Sequence, residues 1–195
     1  MARTSPLPED WASGAHAAGR RGHDAGAAMS ELARLSLLIV DDNPQMRTIL
    51  GSVLLAIGVR DIAYAPNGRA GLDMVQTASF DIIFADYEMP VMNGLDFIRG
   101  VRAEPGERRF TPVIMLTGHS DLRHILAARD AGMTEFLGKP VTARDILDKL
   151  KAVIQRPRPF IEATSYFGPD RRRRHDAAYV GPKRRQADLR PTHEL

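Results

Sequence analysis

Between residues 36 and 155, short apolar runs alternate with amphipathic stretches, as happens when the strands of a parallel sheet are covered on both faces by helices. Residues 36–40 (SLLIV) read as a buried strand that stops at Asp41 and Asp42. Asn43 follows as a helix cap and Pro44 as a first helical residue, and Met46, Ile49, Leu50, Val53 and Leu54 then make one apolar stripe to about Ala56, with Gly58 ending the helix. A second strand is expected over 61–65 and a second helix over 67–77. The third strand is 81–85 (DIIFA), with Asp86 at its end, and a helix over 94–102 follows a proline-containing loop at 88–93. A fourth strand over 112–116 closes on Thr117, and a helix over 121–130 has Gly132 past its end, where a left-handed cap suits glycine. A short strand over 135–137 leads to Lys139 and Pro140, and Thr142 caps a last helix running through Val153. Strand-then-helix repeated five times with short connections predicts an α/β fold, a doubly wound five-stranded parallel sheet with five helices.

In such a sheet, reactive groups collect where strand C-termini meet the loops at the reversal of strand order. The polar residues that end these apolar runs fall there: Asp41 and Asp42, Asp86, Thr117 and Lys139. Three carboxylates at one edge repel one another and raise each other's pKa unless a cation sits among them. Mg²⁺ suits such a shallow edge, because it binds a few carboxylates while keeping water and phosphate oxygens. With charge neutralised in this way, a carboxylate can attack a phosphoryl group. Lys139 brings a second positive charge and Thr117 a hydroxyl able to donate to a phosphoryl oxygen.

The segments LLIVDDNPQMR, FDIIFADYEMPVMNGLDFI, PVIMLTG and EFLGKPV, in this order and at these intervals, resemble the signature blocks of bacterial response-regulator receiver domains, which have a flavodoxin-like fold. The resemblance spans residue 37 to about 155, roughly three fifths of the chain. It implies that Asp86 is the phosphoacceptor, that Asp42 is a direct Mg²⁺ ligand with Asp41 acting through water, and that Glu88 offers a backbone carbonyl to the metal. It also implies that Thr117 and Phe136 form the switch pair, that Lys139 contacts the phosphoryl group through a loop with a cis bond to Pro140, and that Gly118 keeps access open. Glu88 and His119 stand where side chains reach the water that hydrolyses the acyl phosphate. The implied partners are a histidine kinase or phosphotransfer protein upstream and a protein partner or a second copy downstream, met through the fourth helix, fifth strand and last helix. Such a domain is a phosphoacceptor switch with slow self-dephosphorylation rather than an enzyme acting on other substrates.

Composition narrows the setting. No run approaches the 18 or so apolar residues of a membrane span, no short apolar leader marks secretion, and Cys is absent, so a cytoplasmic protein without thiol chemistry is expected. Residues 1–33 lack an apolar period and read as a disordered leader, with Met29 as an alternative start. Residues 34–155 form the predicted domain. From Arg156 onward ten basic residues face five acidic ones, so this stretch carries +5, whereas the 17 basic and 19 acidic residues before it sum to −2. The Arg-Pro-Arg-Pro run at 156–159 breaks helicity, no apolar period follows, and 156–195 is expected to be a mostly disordered basic tail.

The tail repeats itself at an offset of 13: Tyr166-Phe-Gly-Pro-Asp-Arg171-Arg172 recurs as Tyr179-Val-Gly-Pro-Lys-Arg184-Arg185. A turn presenting an aromatic beside paired arginines reads as a docking motif for a protein. Nucleic acid, gripped by 171–174 and stacked on tyrosine, is the competing partner, weakened by the interspersed acids, and a solvated basic tail with no partner is the third reading. Two other classes conflict with the residues. A haloacid-dehalogenase-type phosphatase places its aspartate after the first strand and a second acid two residues on, and a dinucleotide-binding domain needs a glycine-rich first turn where this chain has Asp41-Asp42-Asn43-Pro44.

Overall fold

In the computed structural model, residues 31–118, 122–164 and 166–171 are described. Five strands, β1 (Ser36–Val40), β2 (Asp61–Ala65), β3 (Ile82–Asp86), β4 (Val113–Thr117) and β5 (Glu135–Gly138), form one parallel sheet in the order β2-β1-β3-β4-β5. Five helices connect them: α1 (Pro44–Ala56), α2 (Gly68–Thr77), α3 (Gly94–Ala103), α4 (Leu122–Ala131) and α5 (Ala143–Gln155). A 3₁₀ turn at Gly106–Phe110 precedes β4. This is the expected doubly wound sheet with five helices, its boundaries shifted by one or two residues; β3, for instance, includes Asp86 itself.

The strands sort their side chains by parity. Leu38, Val40, Ile83, Ala85, Val113 and Met115 face α2, α3 and α4, where Leu72, Phe97, Val101 and Ala128 meet them. Leu37, Ile39, Phe84, Ile114 and Leu116 face the other way and are covered by Leu50 and Leu54 of α1 and by Ile146 and Leu150 of α5. Both faces of β3 and β4 are fully buried, which is why these strands read as unbroken apolar runs. Caps place the helices: Asn43 Oδ1 accepts from the Gln45 and Met46 amides, with Pro44 where no donor is needed. Thr142 and Asp145 form a reciprocal capping box on α5.

The expectation of a mostly disordered tail from residue 156 is corrected for the residues after α5. β6 (Phe160–Ala163) and β7 (Tyr166–Pro169) pair antiparallel as a hairpin seated on the domain. Phe110 takes Phe160 and Phe167 edge-on, each with ring centres 5.3 Å away. Beneath them Arg102, 5% exposed, donates from Nε to Gly132 O and from Nη1 to the carbonyls of Arg109 and Thr111, with its guanidinium 5.0 Å from the centre of the Phe160 ring. Burial pulls the Arg102 guanidinium down to about 9, which leaves it charged at neutral pH. Gly168 is needed there, since a Cβ would lie 2.9 Å from Gly132 Cα. Arg158 donates to Thr134 O and to Asp170 O, closing the hairpin ends. Two four-residue strands are too short to show a period of two in sequence; their seat comes from residues 30 to 60 positions away.

Candidate functional site

The order β2-β1-β3 reverses direction at β1 and β3, so the turns after these two strands open a crevice at their C-terminal ends. Asp41 and Asp42 follow β1, Asp86 ends β3, and the three carboxylates lie within 4.8 Å of one another. Asp41 is fully buried and Asp86 is 7% exposed, whereas Asp42 is exposed. A cleft of about 520 Å³ opens beside them, lined by Asp42, Tyr87, Glu88, Met89, Pro90, Asn93 and Leu95.

Local backbone chemistry aims each group. Asp41 Oδ1 accepts from the Asn43 amide at 2.9 Å, and Arg47 donates to the Asp41 carbonyl at 2.6 Å. Asp86 Oδ1 accepts from the Tyr87 amide at 2.8 Å and pairs with Lys139 Nζ at 2.9 Å. The other carboxylate oxygen, Asp86 Oδ2, accepts no hydrogen bond among the described residues. Lys139 also reaches Asp41 Oδ2 at 3.3 Å, and its amide donates to Thr117 O at 2.7 Å, so the lysine is carried by the β4–β5 edge across to the acids of β1 and β3. The Lys139–Pro140 bond is cis, as the resemblance implies.

Electrostatics match this layout. Burial raises the Asp86 pKa, the Lys139 hydrogen bond and charge oppose that, and Asp41 adds to the rise. Burial lowers the Lys139 pKa, but the two carboxylates outweigh it and leave the ammonium above its usual value. The partly exposed ammonium gains more from pairing than it loses to burial, while for the more deeply buried carboxyl the balance is reversed. One ammonium among three carboxylates leaves two negative charges, and acids packed this closely fit a hard divalent cation held by carboxylate oxygens.

Thr117 is 4% exposed, and Phe136 pairs in register with Met115, two residues before Thr117. Thr117 and Phe136 therefore share the face of the sheet under α4. The Phe136 ring faces Lys149 Nζ at 5.3 Å, and that ammonium also pairs with Glu135 at 2.8 Å. Glu88 lines the cleft, whereas His119 lies outside the described residues. Two neighbours of the site carry no signal in the sequence. Tyr87, next to Asp86, meets His124 of α4 edge-on with ring centres 5.1 Å apart, linking the turn after β3 to that helix. Val91, 84% exposed in the loop after β3, holds a left-handed φ of 69°, a strained conformation for a β-branched side chain.

The structure does not bring Tyr166 or Arg171 to this site. Tyr166 is half-buried in the hairpin, its hydroxyl donating to Pro169 O at 2.7 Å, with Arg171 3.7 Å over its ring and bridging to Asp130 at 3.4 Å. The first repeat thus spends its aromatic inside the molecule. Arg172, Tyr179, Arg184 and Arg185 lie outside the described residues.

Comparison with known proteins agrees with this geometry. The response regulator receiver domain model matches residues 37–151. The chain is 35% identical over 123 residues to the chemotaxis protein CheY of Pseudomonas aeruginosa, covering 63% of this chain and 98% of that protein. The crystal structure of Vibrio cholerae CheY4 superposes with a TM-score of 0.57 at 32% identity, over 61% of this chain and 98% of that one. The receiver domain of the P. aeruginosa sensor histidine kinase PA1611, solved with a magnesium ion coordinated in its active site cleft, matches with a TM-score of 0.58 at 26% identity, over 62% and 98% of the two chains. With its strand order, its acidic crevice and a family match over more than half its length, this chain belongs to the response regulator receiver domain family of phosphorelay signalling.

Proposed function

We propose that Asp86 is the phosphoacceptor and that Asp86 Oδ2 is its nucleophile. The observation that carries this is the asymmetry of the carboxylate: Oδ1 is fixed by the Tyr87 amide and Lys139, while Oδ2 takes no hydrogen bond among the described residues and keeps its lone pairs for attack. Asp86 Oδ2 forms a bond to phosphorus as the bond to the donor breaks, which is a phosphorus–nitrogen bond when the donor is a phosphohistidine. The electron pair of that bond goes to the ring nitrogen, and the histidine leaves as a neutral imidazole because its other ring nitrogen is protonated before transfer. Lys139 balances charge on the phosphoryl oxygens, the Thr117 hydroxyl donates to one of them, and Phe136 follows Thr117 inward on the shared face.

Asp42, Asp86 and the Glu88 carbonyl would hold Mg²⁺ directly and Asp41 through water; when bound, the ion supplies positive charge to the equatorial phosphoryl oxygens. A magnesium ion coordinated in the active site cleft of the PA1611 receiver domain supports a metal at this crevice. The donor is a histidine kinase or phosphotransfer protein, and output is altered binding at the surface of α4, β5 and α5, to a protein partner or a second copy. None of the described helices is long and apolar enough to cross a membrane, in keeping with action in the cytoplasm. The chain works as a switch that carries its own phosphoryl group, not as an enzyme for other substrates.

The test is acetyl phosphate with and without Mg²⁺, read by intact-protein mass spectrometry. Addition of one phosphoryl group to wild type and none to Asp86→Asn is expected. A phosphoryl group retained by Asp86→Asn refutes the assignment. Lys139→Ala is expected to keep metal binding and to lose the structural response to phosphorylation.

A further inference from the structure

Arg47 is placed against the electrostatics of its own helix. It is the fourth residue of α1, at the end where the macrodipole is positive and disfavours a cation, and the first turn holds no acid to offset it. The side chain is half-buried and turns back over the β1–α1 loop, where Nη1 donates to the Asp41 carbonyl at 2.6 Å, while the Arg47 amide donates to Asn43 O at 3.1 Å. One residue therefore holds the loop on both sides of Asp42.

The two acids of this loop are held in different ways. Asp41 is fully buried, and every polar group it carries is engaged: its amide donates to Ala65 O, Oδ1 accepts from the Asn43 amide, Oδ2 from Lys139 and the carbonyl from Arg47. Asp42 is exposed and makes no hydrogen bond or ion pair among the described residues, yet its carboxylate lies within 4.8 Å of those of Asp41 and Asp86. Only the backbone sets where that carboxylate stands.

We propose that Arg47 is the positioning residue of this turn: by holding the Asp41 carbonyl it presents the Asp42 carboxylate to a divalent cation without touching the cation itself. The inference rests on the reading of Asp42 as a Mg²⁺ ligand and names what makes it one. A peptide unit is planar, so a fixed Asp41 carbonyl also fixes the Asp42 nitrogen and Cα. The Asn43 amide, tied to Asp41 Oδ1, restrains the other side of Asp42. A ligand ordered before the metal arrives loses less freedom on binding, and this is how groups behind a ligand raise its affinity.

Charge alone acts in the opposite direction. A guanidinium beside the acids repels a divalent cation, so an Arg47 that were only a neighbouring charge would weaken Mg²⁺ binding, and its removal would strengthen it. An Arg47 that served stability alone would leave the affinity of the folded protein unchanged. The positioning role is thus separated from both by the sign of one measurement.

That measurement is isothermal titration of the metal-free, full-length chain with MgCl₂, for wild type, Arg47→Met and Asp42→Asn. Arg47→Met keeps a long unbranched side chain and removes the donor and the charge; its Kd for Mg²⁺ is expected to rise about tenfold despite the lost positive charge. An unchanged or lower Kd overturns the proposal. Arg47→Gln, suited to a half-exposed position, repeats the sign test should Arg47→Met not fold, with circular dichroism confirming the fold of the variant titrated. Asp42→Asn separates the two levels of the argument. If it abolishes binding while the Arg47 variants bind like wild type, the metal reading stands and the role of Arg47 falls. If wild type binds no Mg²⁺, or Asp42→Asn binds it undiminished, the metal reading falls and takes this proposal with it.

Discussion

Lys139→Ala and Asp86→Asn should move stability in different ways, although each removes one partner of the same 2.9 Å ion pair. At an effective dielectric constant of about 20, Lys139 attracts Asp86 by about 6 kcal/mol at 2.9 Å and Asp41 by about 5 kcal/mol at 3.3 Å, before desolvation is charged against either. The two acids, within 4.8 Å of each other, repel by about 3.5 kcal/mol on the same scale. Removing the ammonium leaves that repulsion between two buried carboxylates. Breaking a buried pair in this way costs about 3–5 kcal/mol. Because the Lys139 side chain keeps 21% exposure, a loss of about 2–3 kcal/mol is expected. Asp86→Asn instead removes the repulsion together with the attraction and leaves Asp41 paired with Lys139. The raised Asp86 pKa means that this environment prefers a neutral side chain, so the asparagine variant should lie within about 1 kcal/mol of wild type or be more stable. Urea unfolding followed by far-ultraviolet circular dichroism, in metal-free buffer and then with Mg²⁺, measures both. Added Mg²⁺ should narrow the deficit of Lys139→Ala, since a cation bound only by the folded state stabilises it by mass action. Equal losses for the two variants, or a Lys139→Ala deficit that Mg²⁺ leaves unchanged, would refute this account of the charge balance.

Arg102→Ala should destabilise the protein by about 3–5 kcal/mol in the same assay, because one buried and two part-buried carbonyls lose a charged donor and Phe160 loses its support; a loss under about 1 kcal/mol would contradict the anchoring role. Val91→Gly should raise stability by about 1 kcal/mol, since glycine holds a φ of 69° without the steric cost; an unchanged or lower midpoint would mean that the loop is not strained. The Thr142–Asp145 capping box depresses the Asp145 pKa below 3.8, chiefly through the Thr142 side-chain hydrogen bond and then the Thr142 amide. A carboxyl with a lowered folded pKa stabilises above its unfolded value and loses that contribution as pH falls through the folded one. The stability difference between wild type and Asp145→Asn should therefore be constant at neutral pH and shrink below pH 3.8; a difference that grows on acidification would reverse the sign of the coupling.

Where the chain follows local rules, the sequence alone determined the outcome. The runs SLLIV and DIIFA are apolar on both parities because β1 and β3 are buried on both faces, and the polar residues that end them mark strand C-termini, hence the reactive edge. Asn43, Pro44 and Thr142 act on backbone groups two or three residues away, so their roles are visible in a short window. Tertiary structure alone decided which oxygen of Asp86 is held and which is open, since Lys139 reaches it from 53 residues away and bridges to Asp41, 98 residues away. It also decided the fate of the first repeat. Tyr166 next to paired arginines reads as an exposed docking turn, but Phe110 and Arg102 seat Phe160 and Phe167 of the hairpin, which leaves Tyr166 half-buried with its hydroxyl on Pro169 O. No periodicity in the four-residue strands β6 and β7 records that seat, because the groups that stabilise the hairpin belong to α3, the 3₁₀ turn and the end of α4, and they meet only once the sheet has formed.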